Sequence, residues 1–413
     1  MRRIIINIDR LYGLLPRSVT RLSGTEMQHV GMLRHAWIET SDGLITGYGE
    51  MPAPSGRHHD EVIDACQGCV MPCFCDSHTH IVYAGSREQE FTDKIRGMSY
   101  AEIARRGGGI LNSADRLHEL SEDLLYEQSM TRVTEIMDKG TGCVEIKSGY
   151  GLTLESELKM LRVIRRIADT SPLRVVSTFL GAHAVGRAFQ GRQGAYVDYV
   201  IREMIPEVGR QQLADYIDVF CDEGFFTPEE TDRMLEAGAK YGLRPKIHAH
   251  ELADSGGVDV GLRHRARSVD HLESMPDRYF DPLKHSDTMP TLLPGTSFFL
   301  NMPYAPGRRM IDHGLPIALA SDYNPGSTPS GDMRFVMSLA CIKLHLLPDE
   351  AFNGVTINGA DAMGLARDYG SIAVGKRANL IITRPLSSLA YLPYAYTSPW
   401  IDRVVFASVK QGV

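Results

Sequence analysis

Hydrophobic positions along this chain fall into two textures. Near the N-terminal end, "RRIIINI" and "WIETSDGLITGYGE" are short apolar runs broken by turn signals, with Asp42-Gly43 placed as a hairpin turn. The far end repeats that texture in "GSIAVGKRANLIITRP" and "IDRVVFASV", so both chain ends are expected to build one small β domain, a sandwich. Between them, short apolar strands alternate with amphipathic helices. "ESELKMLRVIRRIAD" places Leu158, Leu161, Ile164 and Ala168 on one helical face with charges opposite. In "FFTPEETDRMLEAG", Thr227, Pro228 and Glu230 are the N-cap, N1 and N3 residues of a capping box.

Strand followed by helix, repeated over about three hundred residues, calls for a parallel sheet closed into an eight-stranded barrel. The expected fold class is therefore α/β, a (β/α)8 TIM-type barrel over 73–371, flanked by the β domain from 1–72 and 372–413. A doubly wound sheet is the alternative, but it more often announces a Gly-rich dinucleotide loop after its first strand. "RRGGGI" at 105–110 follows no strand and lacks the Lys-Ser/Thr of a phosphate loop, so it reads as a flexible loop.

Composition narrows the function. Hydrophobic residues are 43% and charged residues 23%, as in an ordinary globular protein, and the formal net charge of -7 argues against nucleic acid. No apolar run approaches the eighteen or so residues of a membrane span, and Asp9 and Arg10 interrupt the only signal-like start, so a cytoplasmic protein is expected. Seven cysteines suit a reducing compartment better than a disulfide framework. Cys66, Cys69, Cys73 and Cys75 have the ligand count of a structural zinc knuckle. They run straight into the next strand, however, so four free thiols are the preferred reading.

The chemistry begins at 76–91, "DSHTHIVYAGSREQEF", where an extended strand points His78 and His80 the same way. Alone, that pair is read more readily as two neutral hydrogen-bonded imidazoles than as metal ligands. Other strand-like runs also end in polar residues: Glu145 and Lys147, His183, His248 and His250, His271, and Asp322. In a barrel these ends converge on one site. Two histidines from the first strand, one from a middle strand and an aspartate from the last suit one divalent metal ion, zinc or iron, with a position left for water. The class of chemistry is metal-assisted hydrolysis.

"DSHTHIVYAGSREQEF", "EIKSGYGLTLESELKMLRVIRRI", "FLGAH", "FCDEGFF", "PKIHAHE", "VDHLE" and "ASDYNPGS" resemble, in order and spacing, the imidazolonepropionase family of the amidohydrolase superfamily, from about residue 70 to 375. The resemblance implies a small-molecule substrate, 4-imidazolone-5-propanoate, opened to N-formimidoyl-L-glutamate in histidine degradation. It implies His78, His80, His248 and Asp322 as metal ligands, and Arg87, Tyr100, Tyr150, His183 and Glu251 as substrate contacts, Arg87 being the natural partner of the propanoate carboxylate. Asn324, Gly326 and Ser327 resemble the loop holding the amino-acid end of the product. Glu251, His271 and Asp322 resemble the catalytic groups that position water and handle protons. The resemblance is also in keeping with a homodimer.

The family usually has an acid where His250 stands, so His248 and His250 compete for one ligand position on the same strand face, with His248 favoured by "KIHA". Lys147 stands where related amidohydrolases use a carboxylated lysine to bridge two metals; pairing with Glu145 is the preferred reading. Two other functions compete. A deaminase or cyclic-amide hydrolase using the same metal gives no reason for a carboxylate partner at Arg87, and a non-catalytic barrel subunit gives none for keeping every ligand.

Overall fold

A computed structural model of the chain describes residues 1–98 and 109–407. Eight parallel strands run in sequence order: Phe74–Asp76, Thr141–Lys147, Arg174–Ala182, Tyr216–Cys221, Arg244–Ala249, Ser268–His271, Met289–Leu292 and Ala318–Leu319. The sheet closes past its last regular strand, where Thr79 bridges Tyr323, His80 N–H donates to Tyr323 O over 2.9 Å and Asp322 N–H donates to His78 O over 3.0 Å. Closure thus falls at the two segments that carry three of the four expected metal ligands, His78, His80 and Asp322. Among the described residues, no helix is long and apolar enough to cross a membrane.

Local signals act as their chemistry dictates. Thr153 caps the helix Leu154–Thr170 by accepting from Ser156 N–H, and Leu158, Leu161 and Ile164 are buried against the barrel, with Ala168 half-buried. Burying a leucine or isoleucine fully contributes about 1.5–3 kcal/mol, so this face anchors the helix. The capping box of Pro228–Ala239 is formed, with Thr227 accepting from Glu230 N–H and Glu230 accepting from Thr227 N–H. Asp42 and Gly43, with φ of 51° and 77°, make the turn joining Met32–Ser41 to Leu44–Glu50.

The small β domain is formed from both chain ends. Its strands belong to one seven-stranded sheet that forks at Arg2–Tyr12. One edge of that strand pairs along its length with Met32–Ser41, while the other takes Glu61–Asp64 near its start and Cys69–Pro72 near its end. Asn7, at φ 55°, sits in the register shift that separates the two branches. Ile5, Ile38, Val70 and Leu380 lie in the domain's own apolar core. The segment between the first two strands leaves the sheet for the barrel: Asn353 Nδ2 donates to Met27 O and His29 O, and Asn358 Nδ2 donates to Leu22 O.

The four clustered cysteines are spread from an exposed turn at Cys66 to buried positions at Cys69, Cys73 and Cys75. Cys69 belongs to the β domain and Cys75 to the first barrel strand, so the chain passes between two sheets within the motif.

Candidate metal centre and its cavity

The barrel interior beneath the site is charged. Lys147 Nζ donates to Glu145 Oε1 over 2.6 Å and to Asp218 Oδ2 over 2.8 Å, and lies 3.6 Å from Asp270 Oδ2. Lys246 pairs with the other oxygen of Glu145 and donates to Ser77 O. Burial alone would lower the Lys147 pKa, but Asp218, Glu145 and Asp270 outweigh it and hold the amine well above its ordinary value. Three carboxylates around Nζ thus favour the ammonium form, whose nitrogen has no lone pair to take up carbon dioxide. The pairing with Glu145 read from the sequence is therefore one arm of a larger network.

Two of these carboxylates face histidines. Asp270 Oδ2 lies 2.7 Å from His78 Nδ1, and Asp218 Oδ2 lies 2.9 Å from His248 Nδ1. Burial, then Lys147, holds His78 well below the usual imidazole pKa, and burial, then His183, does the same for His80. A neutral His78 facing a carboxylate carries its proton on Nδ1, which leaves a bare lone pair on Nε2. That nitrogen is 3.2 Å from His80 Nε2, and both are 3.5 Å from Asp322 Oδ1. Donors about 2.0–2.1 Å from a tetrahedral ion stand about 3.3 Å apart, so these three atoms have the spacing of ligands around one cation.

His248 Nε2 is buried without a hydrogen-bond partner, and its ring lies 4.5 Å from that of His78 and 5.4 Å from that of His80. Among the described residues two groups have ligand atoms close enough for an ion: His78, His80 and Asp322, and His78, His248 and His271. The first fits better, because His271 lies between two carboxylates that favour its protonated form. Burial would lower its pKa, but Glu251 and Glu273, 3.6 Å away on either side, push it up to about 10. Glu251 in turn is pushed up to about 7, first by burial.

His250 does not share the face of His248. Its strand ends at Ala249, and a left-handed φ of 57° turns His250 away to lie 3.7 Å from Asp254 and edge-on to Tyr279. The alternation expected of an extended strand stops one residue too early for the two histidines to compete. Asp322 and His271, at φ 54° and 84°, are also left-handed. Such backbone is costly for ordinary side chains, and here it gathers at the strand ends that meet.

A cavity of about 620 Å³ opens over these atoms. It brings together His80, Arg87, Tyr150, His183, His248, Glu251, His271, Asp322, Asn324, Gly326 and Ser327. His78 lies fully buried beneath it. Tyr100 and most of the Gly-rich loop lie outside the described residues. Arg116, on the helix Ile110–Glu119, donates to Ser86 O over 2.8 Å.

Local contacts explain the motifs. Glu157 accepts N–H groups from Gly149, Gly151 and Leu152 at 2.7–3.1 Å, fixing the loop that carries Tyr150. A Cβ on Gly151 would come within 2.4 Å of Glu157 N, so "SGYGL" needs its second glycine. His183 Nδ1 is 3.1 Å from Gly149 O, and burial, then His248, lowers its pKa to about 3, so a neutral ring stacks on His80. Asn324 does not reach outward: its Oδ1 accepts from Gly326 and Ser327 N–H, and its Nδ2 donates to Asp322 O and Ser327 Oγ. It folds the loop after Asp322 back on itself.

Sequence reasoning missed Phe91, Lys94, Phe220, Phe225 and Phe299 in the cavity wall. Lys94 left a signal, because it follows Arg87 by two helical turns and so shares its face. Phe91, Phe220 and Phe225 stand inside "DSHTHIVYAGSREQEF" and "FCDEGFF", where nothing marked the rings themselves, and Phe299 left no signal beyond ordinary apolar periodicity.

Against known proteins, residues 222–409 match the amidohydrolase family model. An imidazolonepropionase of Flavobacterium johnsoniae is 50% identical over 405 residues, covering 98% of each chain. Among solved structures, a triazine hydrolase variant aligns with a TM-score of 0.76 at 15% identity, covering 98% of this chain and 93% of its own. An adenosine deaminase from Xanthomonas campestris with bound zinc aligns at 0.67 and 15% identity, covering 98% and 91%. At such identities the last two share the fold.

Proposed function

The chain belongs to the imidazolonepropionase family of amidohydrolases, and from that membership we propose how its barrel mouth carries out the reaction. The enzyme is a metal-dependent hydrolase that opens the ring of 4-imidazolone-5-propanoate to N-formimidoyl-L-glutamate in histidine degradation. The observation that carries the residue assignment is the convergence of His78 Nε2, His80 Nε2 and Asp322 Oδ1, with Arg87 in the wall of the same cavity. His78, His80, His248 and Asp322 would hold one divalent ion, zinc or iron. Such an ion supplies Lewis acidity, which brings water's pKa toward neutrality and polarises a carbonyl.

The protein's own groups do the rest. Arg87 binds the propanoate carboxylate. Tyr150 and His183 border the ring, and neutral His183 meets it without adding charge. Asp322 Oδ1 takes the proton that water loses as its oxygen bonds to the ring carbonyl carbon, and Glu251 positions that water. The ring carbon–nitrogen bond then breaks, and imidazolium His271 gives its proton to the departing nitrogen. The new carboxylate is the α-carboxylate of the product, held by the backbone of the loop that Asn324 folds.

Freshly generated imidazolone propanoate, followed by mass spectrometry, tests this. N-formimidoyl-glutamate is expected only with the metal-loaded protein, and not with the chelated protein or without enzyme. Decay at the uncatalysed rate with an occupied metal site would sink the substrate and favour another cyclic amide.

Gly326 gives a sharper check on Arg87. A Cβ built on Gly326 would sit 2.2 Å from Arg87 Nη1. Gly326→Ala should therefore displace the guanidinium and raise KM by roughly tenfold or more, the scale of a lost charge-assisted hydrogen bond, with metal content unchanged. An unaltered KM would remove Arg87 from substrate binding.

A further inference from the structure

Arg87 is already partnered. Its Nε and Nη2 donate to Glu90 Oε2 over 2.9 and 2.6 Å, and the pair is largely buried. Glu90 is itself saturated, because its Oε1 accepts from Gly109 N–H over 3.0 Å and Asn112 Nδ2 over 3.4 Å. The guanidinium can still offer Nη1, but its charge is neutralised within the protein.

Lys94 stands differently. It lies on the helix Glu88–Ile95, of which Arg87 is the N-cap residue, and lines the same cavity seven residues further on. Its Nζ donates to Gly326 O over 3.4 Å, beside the Arg87 guanidinium, and forms no ion pair among the described residues. It is half-buried, and burial followed by the nearby Arg87 lowers its pKa, the mark of a cation short of negative charge. The three groups Arg87, Glu90 and Lys94 sum to one positive charge at this end of the cavity. The substrate's propanoate brings one negative charge.

We infer that Lys94 is a specificity-determining residue for this reaction, the uncompensated cation that matches the substrate carboxylate, while Arg87, locked by Glu90, gives that carboxylate its geometry. This rests on the function proposed above. A fixed guanidinium orients a carboxylate by directional N–H bonds, whereas a flexible ammonium contributes charge. Discrimination against uncharged relatives of the substrate would then depend mainly on Lys94.

The test compares the acid substrate with its propanamide analogue, in the wild-type enzyme and in Lys94→Met and Lys94→Arg. For Lys94→Met, kcat/KM on the acid should fall by roughly ten- to a hundredfold, mainly through KM, which is the scale of a lost hydrogen bond to a charged group. The fall on the amide should be smaller by at least about tenfold, and Lys94→Arg should restore most of the loss on the acid. Equal losses on both substrates would mean a structural role and overturn the inference. No loss on the acid, in an enzyme whose wild type turns it over, would overturn it too, with the proposed function intact. A wild type inactive on the acid would overturn both.

Discussion

Asp322→Asn is expected to lower kcat by about three orders of magnitude while leaving the protein folded, within the range found when a positioned proton acceptor is removed. Asp322 divides its two oxygens between tasks. Oδ2 accepts from Thr296 Oγ over 2.6 Å and from Ser327 Oγ over 3.2 Å, while Oδ1 faces His78 and His80. An amide has the same shape, and the two hydroxyl groups can turn to accept from its N–H instead of donating. The left-handed backbone at this position, with φ 54°, is tolerated by asparagine as readily as by aspartate. What the substitution removes is the charge that attracts a cation and the lone pair that takes a proton. Steady-state kinetics, elemental analysis of bound metal and a thermal melt separate these effects: kcat and metal affinity should fall, and the melting temperature of the chelated protein should stay close to that of the chelated wild type. Full activity in this variant would exclude Asp322 as the proton acceptor.

Which parts of this site a reader of the sequence could have found depends on the range of the interaction. The strand-end residues were legible because a barrel gathers every C-terminal strand end at one mouth, whatever the loops between them do. Thr227, Pro228 and Glu230 were legible because a capping box is completed within four residues. Asp218, Lys246 and Asp270 were not singled out, since each is explained only by a partner on another strand: Lys246 by Glu145 and Asp270 by His78. Nothing in local periodicity says which strands will be neighbours. His250 failed for the opposite reason, a purely local one. Period-two alternation assumes extended backbone, and a single left-handed residue ended it. Glu90 lies between these cases. Its spacing from Arg87 permits an i,i+3 pair, but only the fold brings Gly109 and Asn112 to its second oxygen.

Lys147→Met should destabilise the protein by about 3–5 kcal/mol, the cost typical of removing one partner from a buried ion pair. Methionine fills a comparable volume, so the loss would come from charge. Glu145, Asp218 and Asp270 all face Lys147 Nζ, and Lys246 pairs only with Glu145 among them. Without the ammonium, Asp218 and Asp270 would be left buried with their histidines as nearest partners, and drawing protons onto His248 and His78 would spoil both as ligands. Metal affinity should therefore drop by about ten- to a hundredfold, as it does when groups orienting a metal-bound histidine are lost. Adding Asp218→Asn to the same chain removes one unpaired charge and should recover part of the stability but not the affinity, since His248 then loses its carboxylate. Denaturant titration of the chelated proteins reads the first quantity and metal titration the second. A bridging carboxylated lysine makes a contrary prediction: the wild type would hold two ions per chain, and short carboxylic acids would restore activity to Lys147→Met. With Lys147 held as an ammonium among three carboxylates, one ion per chain and no such rescue are expected, and two ions with rescue would overturn the reading of the barrel interior as a charged support for a single metal.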